Sequence, residues 1–150
     1  ATEIPKLQVL GPEPLTEGFD TRYLYPRLKA SSKEIKPFLL DQQLVAGIGN
    51  IYASEILFAS GVLPQRSSHS LKKKEVQAIV ENTRRILLSA IEYNGTSVSD
   101  FRQVDEKTGE FQNFLQVYDK ESQPCPRCEV PLQRIVQQQR STFFCIGCQK

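Results

Sequence analysis

The sequence predicts a mostly α-helical domain followed by a small, cross-linked β-hairpin. Three observations carry that expectation. Residues 71–92 place Val76, Ile79, Val80, Thr83, Leu87, Ala90 and Ile91 at steps of three and four, which is the apolar stripe of one long helix. After Val104 the pattern changes to short apolar runs separated by loops rich in proline and glycine. All four cysteines fall in the last 26 residues, as Cys125-x2-Cys128 and Cys145-x2-Cys148 with 16 residues between the pairs.

Element by element, residues 1–19 hold Pro5, Gly11, Pro12, Pro14 and Gly18, and read as a linker or trailing segment. Residues 20–110 form the predicted helical domain. Its first helix spans 20–30 and is short or bent at Pro26. Its second spans 33–45, with Pro37 in the first turn, where a missing N–H costs little. The turn Val45-Ala46-Gly47-Ile48-Gly49-Asn50 leads into a helix over 51–60, stopped by Gly61 and Pro64. Ser70 is the expected N-cap of the long helix, and Gly95 lies just past its end. A short helix is expected at 97–103, then a polar loop at 105–109. Residues 111–150 form the predicted hairpin domain, with strands at 111–118, 132–137 and 142–144.

Bulk composition narrows the partners. Nineteen Lys+Arg face 17 Asp+Glu, a formal charge of +2, and neither half of the chain is a basic arm. A nucleic-acid partner therefore needs focused contacts rather than a charged surface. With 39% hydrophobic residues and a mean hydropathy of -0.37, the chain suits a globule with a real core. Apolar runs are far shorter than the roughly 20 residues that span a bilayer, and no secretory leader is visible, so a cytoplasmic protein with no membrane role is expected. Met is absent even at position 1, so the expectation is a processed chain or a piece of a longer one.

The cysteine spacing reads as a metal site. Two residues between cysteines form a knuckle that aims both sulfurs at one ion, and two knuckles complete a tetrahedron around zinc. Four sulfurs leave no place for water, so one structural zinc is expected; two disulfides or four free thiols are the alternatives. A 40-residue hairpin domain is of the size at which a metal is usually required for folding.

Other residues are candidates for anion contact. Asn50, after Gly47-x-Gly49, stands at a helix entrance whose free N–H groups could hold a phosphate. On pattern alone the plainer reading, a helix–helix turn capped by Asn50, stands first. Lys36 near a helix start and Arg140 at the tip between two strands are either solvated surface residues or phosphate contacts. His69, the sole histidine, and Lys72-Lys73-Lys74 read as solvated. No nucleophile–base pair is visible, so little supports independent catalysis.

Longer strings carry a resemblance. Leu10-Gly-Pro-Glu-Pro-Leu15, Ile35-Lys-Pro-Phe-Leu-Leu-Asp41, Gly47-Ile-Gly-Asn-Ile-Tyr-Ala-Ser-Glu55, Leu115-Gln-Val-Tyr118 and Gln139-Arg-Ser-Thr-Phe-Phe-Cys145, with the closing Cys148-Gln-Lys150, resemble bacterial formamidopyrimidine-DNA glycosylases from about residue 10 onward. The resemblance implies a helix–two-turns–helix domain followed by a zinc finger. It implies a base-excision-repair enzyme that removes oxidised purines (8-oxoguanine, formamidopyrimidines) and nicks the abasic strand as an AP lyase. It implies a partner: double-stranded DNA carrying an oxidised purine or abasic site.

By the same resemblance, Lys36, Asn50, Tyr118, Arg134 and Arg140 contact the DNA backbone, and Arg140 has the δ-elimination role. Lys107, Thr108 and Gly109 belong to the loop that closes over the flipped base. A common family form has Gly for Glu106 and Pro for Thr108, so closure here is expected to differ. Ser31 stands where many members place a DNA-contacting lysine, with Lys29 and Lys33 nearby.

The family's nucleophile is an N-terminal proline amine on a β-sandwich domain, and here Pro5 is internal. The expectation is thus a DNA-gripping C-terminal half, missing its catalytic domain, inactive alone, and used as a nucleoid-associated monomer. The alternative is a standalone zinc-containing module that binds DNA or protein.

Overall fold

The computed structural model describes residues 14–16, 18–94 and 115–150. Among the described residues four helices come first: α1 Thr21–Lys29, α2 Ile35–Leu40, α3 Asn50–Ser60 and α4 Lys73–Asn94, with a 3-10 turn at Ser68–Ser70. An antiparallel pair follows, β1 Gln133–Gln137 and β2 Arg140–Phe144. The predicted helical domain plus β-hairpin is therefore the observed architecture. The 97–103 helix and the 105–109 loop lie outside the described residues. Among those described, no helix is long and apolar enough to cross a membrane.

Local chemistry sets each boundary. Asp20 caps α1, its carboxylate accepting the Tyr23 N–H at 2.9 Å. The predicted 33–45 helix is cut to six residues. Asp41 ends it by accepting the Gln43 N–H on its own side chain at 2.9 Å, a local bond that competes with helix continuation. Lys33 holds the other Asp41 oxygen at 2.6 Å. Residues 33 and 34 lie outside the helix instead, with Glu34 bridged to Ser67 through Ser68 N–H to Lys33 O and Ile35 N–H to Arg66 O.

Gly61 stops α3 in the left-handed conformation, φ 74°. Ser70 does not cap α4; it closes the 3-10 turn. Glu75 takes the capping role, its carboxylate reaching back to the Lys72 N–H at 2.8 Å while Arg66 grips both oxygens.

The expected strand at 111–118 is not found in its described part. Residues 115–118 are irregular with no ladder partner, and the N–H groups of 116–118 go to a side chain described below. The hairpin is one residue shorter at the start of β1 and two longer at the start of β2 than expected. Its turn is Gln138-Gln139, with φ 48° and 69°. Arg140 is thus not at the tip but opens β2, opposite Gln137.

Two positive-φ residues make this a type I′ turn, for which Asn-Gly is the favoured pair. Replacing Gln138-Gln139 by Asn-Gly is expected to stabilise the hairpin by about 1 kcal/mol. Chemical denaturation at constant zinc would check this, and an unchanged or lower midpoint would count against the strain argument.

Two apolar clusters form. The larger gathers Phe19, Leu24, Leu28, Ile35, Phe38, Ile48, Tyr52, Ile56, Val76, Ile79 and Leu87 from all four helices and their turns. The smaller joins Val117, Cys125, Leu132, Phe143 and Cys145 to Phe58 of α3. One helix therefore serves both cores. Gln149, only 1% exposed, fastens them further, accepting the Cys145 N–H at 2.7 Å and donating to Val62 O at 2.9 Å. The hairpin domain is a docked element of the helical core, not a separate bead.

A four-cysteine centre beside a candidate nucleic-acid interface

Cys125, Cys128, Cys145 and Cys148 bring their sulfurs within 4.8 Å of one another. Cys125–Cys148 and Cys128–Cys145 are 3.8 and 3.4 Å apart. A tetrahedron of ~2.3 Å metal–sulfur bonds puts its sulfurs about 3.8 Å apart, so the donor set fits one zinc ion.

The chemistry agrees with the geometry. Burial opposes ionisation of Cys125, but the N–H groups of Arg127 and Cys128 and the neighbouring thiols outweigh it and bring Cys125 down to about 7. Burial and the three other sulfurs push Cys148 up to about 12. Four thiols this crowded cannot all ionise without a cation among them. Gly147 completes the second knuckle, and a Cβ there would sit 2.9 Å from Cys128 Sγ, so only glycine fits without moving a ligand. Four sulfurs close the shell, and the zinc is structural.

Just beyond the centre, β2 delivers Ser141 and Thr142 to the helices. Lys36 of α2 is fully buried. Its ammonium donates to Asn50 Oδ1, to Thr142 Oγ1 at 2.8 Å and more loosely to Ser141 O at 3.4 Å. No carboxylate among the described residues neutralises it. Burial, with help from the nearby Arg140 charge, lowers the Lys36 amine to about 8.

Asn50 is the first residue of α3, and the cap is Gly49, with no side chain capping the first turn. The plain reading of Asn50 as a helix cap is thereby corrected. Its amide donates instead to Ser141 O at 3.1 Å and to the Tyr118 hydroxyl at 3.4 Å. Tyr118 in turn sets its ring edge-on to Phe143, centroids 4.9 Å apart. Gly47, at φ 94°, makes the turn before α3, and its N–H is held by Gln42 Oε1 at 2.7 Å. Of the two glycines only Gly47 uses the left-handed region.

Arg140 is exposed and has no carboxylate partner among the described residues. It stands between two depressions. One is lined by Lys33, Lys36, Pro37, Asp41 and Gln137, the other by Gln42, Gly47, Gly49 and Asn50 at the start of α3. Arg134, three residues before Gln137 on β1, donates two hydrogen bonds to Ser141 Oγ at 3.1 and 2.8 Å.

The structure therefore gathers Lys36, Asn50, Tyr118 and Arg140 at one place, with Arg134 behind Ser141. Lys107, Thr108 and Gly109 lie outside the described residues. Sequence reasoning missed Glu55, Ser141, Thr142 and Gln149. All four stood inside quoted motifs, but a buried carboxylate, a strand carbonyl, a hydroxyl and a buried amide have no pattern of their own. Two basic groups, an amide and a phenol around an open cleft suit an anion with several acceptor oxygens. His69 and Lys72–Lys74 are exposed, as expected.

Comparison with known proteins agrees with this geometry. Residues 10–102 match the formamidopyrimidine-DNA glycosylase H2TH domain, and residues 122–150 match the zinc finger found in FPG and IleRS. The chain is 48% identical over 141 residues to the formamidopyrimidine-DNA glycosylase of Serratia proteamaculans, covering 94% of this chain and 52% of the relative. It is 47% identical over 146 residues to that of Neisseria meningitidis, covering 97% and 53%.

Among solved structures, MutM (Fpg) of Thermus thermophilus superposes with a TM-score of 0.84 at 42% identity, over 97% of this chain and 56% of that one. The Lactococcus lactis enzyme bound to DNA containing an AP site gives 0.83 at 38% identity, over 97% and 52%. The chain spans about half the length of the curated relatives it matches. With its cysteine centre, its helical core and the cleft between them, it belongs to the formamidopyrimidine-DNA glycosylase family, matching the C-terminal half.

Proposed function

We propose that this chain grips the sugar–phosphate backbone of duplex DNA for a glycosylase that removes oxidised purines, and that the bond-breaking chemistry resides outside these 150 residues. The observation that carries this reading is the meeting of Lys36, Asn50, Tyr118 and Arg140, drawn from two helices, a crossing segment and a strand. One phosphate set between Arg140 and the start of α3 would meet a guanidinium fork and helix N–H groups, with the enclosed Lys36 charge behind them. Similar solved proteins carry 8-oxo-G, AP-site and FAPY-dG DNA, which supports damaged duplex as the partner.

The base-excising enzyme must flip its target out of the stack, and a firm hold on flanking phosphates opposes the recoil of the strand. In this reading Arg140 also assists the later elimination step at the phosphate. The unit acts as a single chain with nucleoid DNA.

Fluorescence anisotropy with a duplex bearing a stable abasic analogue tests the grip. Wild-type affinity is expected at the weak end of the nonspecific range, Kd about 10⁻⁴ M at physiological salt, because few phosphates are neutralised. Lys36→Met and Arg140→Ala should each flatten the log–log salt dependence by about one unit at most. Asn50→Ala should weaken binding with the slope unchanged, since a neutral amide releases no counterion. Affinity should also fall as pH rises through about 8, where the Lys36 amine loses its proton. Unchanged affinity in the triple variant, with zinc and helix content intact, would move the DNA site elsewhere.

A further inference from the structure

We infer that Glu55 is a positioning residue of this interface: its carboxylate fixes residues 116–118, and through them sets the Tyr118 hydroxyl against Asn50. The inference rests on the DNA-binding reading above and adds a residue that touches no DNA in it. Glu55 lies on α3, five residues after Asn50, and is only 4% exposed. Its two oxygens accept three consecutive backbone N–H groups: Gln116 at 2.8 Å, Val117 at 2.9 Å and Tyr118 at 2.8 Å.

Those N–H groups have no helix or strand of their own to join, so the carboxylate replaces a ladder. Burial raises the Glu55 carboxyl above its ordinary value against the pull of the three N–H groups and of Lys120. A buried carboxylate with no contacting cation among the described residues is a costly way to pin three residues. An apolar side chain would serve packing alone, for Leu115 and Val117 already anchor the segment, one in each apolar cluster. What a leucine could not do is fix the peptide planes from which Tyr118 projects. The Tyr118 ring must clear Phe143 edge-on and still bring its hydroxyl to Asn50 Nδ2. One rigid helix thus places Asn50 directly and Tyr118 indirectly, in a single frame.

A double-mutant cycle tests this on the 150-residue chain with zinc bound. Glu55→Gln keeps the shape but turns an amide NH2 toward backbone donors. It is expected to weaken binding to the abasic-analogue duplex about fivefold, with zinc content and salt slope unchanged. Tyr118→Phe should cost a similar factor. The double variant should lose no more than the larger single loss, because both changes remove one interaction. Losses that multiply would overturn the inference, as would a Glu55→Gln chain that binds like wild type.

NMR without DNA separates this from failure of the DNA reading. The Tyr118–Phe143 ring contact and the Asn50 side-chain amide shift should both change in Glu55→Gln, whether or not any variant alters DNA binding. If Glu55→Gln does not fold, wild-type amide exchange decides. Protection at 116–118 equal to that of α3 supports the latch, and fast exchange there refutes it.

Discussion

Stripping the metal is expected to abolish the hairpin and the cleft together while leaving most of the helical signal. Binding of a structural zinc in small finger domains is worth roughly 10–16 kcal/mol, and the small cluster around Phe143 has no comparable source of stability. Without the ion, four crowded sulfurs no longer converge, and β2 loses the anchor at Cys145. Lys36 then loses Thr142 and Ser141, and Asn50 loses Ser141. DNA affinity should drop at least tenfold.

The larger cluster draws on the four helices and the turns around them, with Leu115 and the partly buried Tyr118 joining from later in the chain, so helix content should fall only slightly. Chelator titration followed by circular dichroism, hairpin NMR signals and anisotropy would check each part, with zinc readdition restoring all three. A metal-free chain with an intact hairpin would falsify the staple.

Lys36→Met is expected to leave the protein as stable as wild type at pH 7, or more stable by about 1–3 kcal/mol, while DNA binding falls. Methionine keeps the apolar stem and removes a charge that folding strips of water. Thr142 can then donate elsewhere, and Asn50 keeps Ser141 and Tyr118.

The same cause gives a pH signature. The unfolded lysine holds its proton to about 10.5 and the folded one only to about 8. Between those values the unfolded chain binds more protons, so wild-type stability rises with pH and levels off above 10.5. At about 1.4 kcal/mol per pKa unit the rise attributable to Lys36 is roughly 3 kcal/mol. Urea unfolding of both proteins from pH 7 to 10.5 reads the difference. A Lys36→Met chain with the same pH dependence as wild type would show that the lysine is not desolvated. A large loss of stability would show that Lys36 serves the fold.

Much of this was legible in the sequence, for reasons particular to each element. The long helix followed from its stripe, and the zinc centre from two Cys-x2-Cys pairs. What the pattern hid were competitions decided by single side chains. Asp41 ended the second helix through its own carboxylate, and Glu75 took the capping role expected of Ser70. Glu55 drew 115–118 away from a strand that its alternating residues favoured.

For the site, composition and spacing left Lys36, Asn50 and Arg140 with surface or capping alternatives; the resemblance gave them a role. Only the tertiary structure explains why they meet. The buried state of Lys36 was invisible, because a lysine near a helix start is usually solvated, and its burial depends on a strand more than 100 residues away.

That separation has a consequence for assembly. The bonds that join finger to helices link Lys36 to Thr142, Glu34 to Gln137, Phe58 to Arg127 and Val62 to Gln149, spans of 106, 103, 69 and 87 residues. Nearly all of the helical cluster closes within residues 19–91 and can consolidate early, since short loops lose little entropy on closing. During synthesis from the N-terminus, α2 and α3 therefore stand ready while Lys36 is still in water. Residues 137–149 must arrive and acquire their ion before that ammonium is enclosed. In the proposed reading, the Lys36 charge is enclosed only after residues 137–149 and their ion have arrived, so ion binding, rather than helix formation, would complete the site that holds DNA.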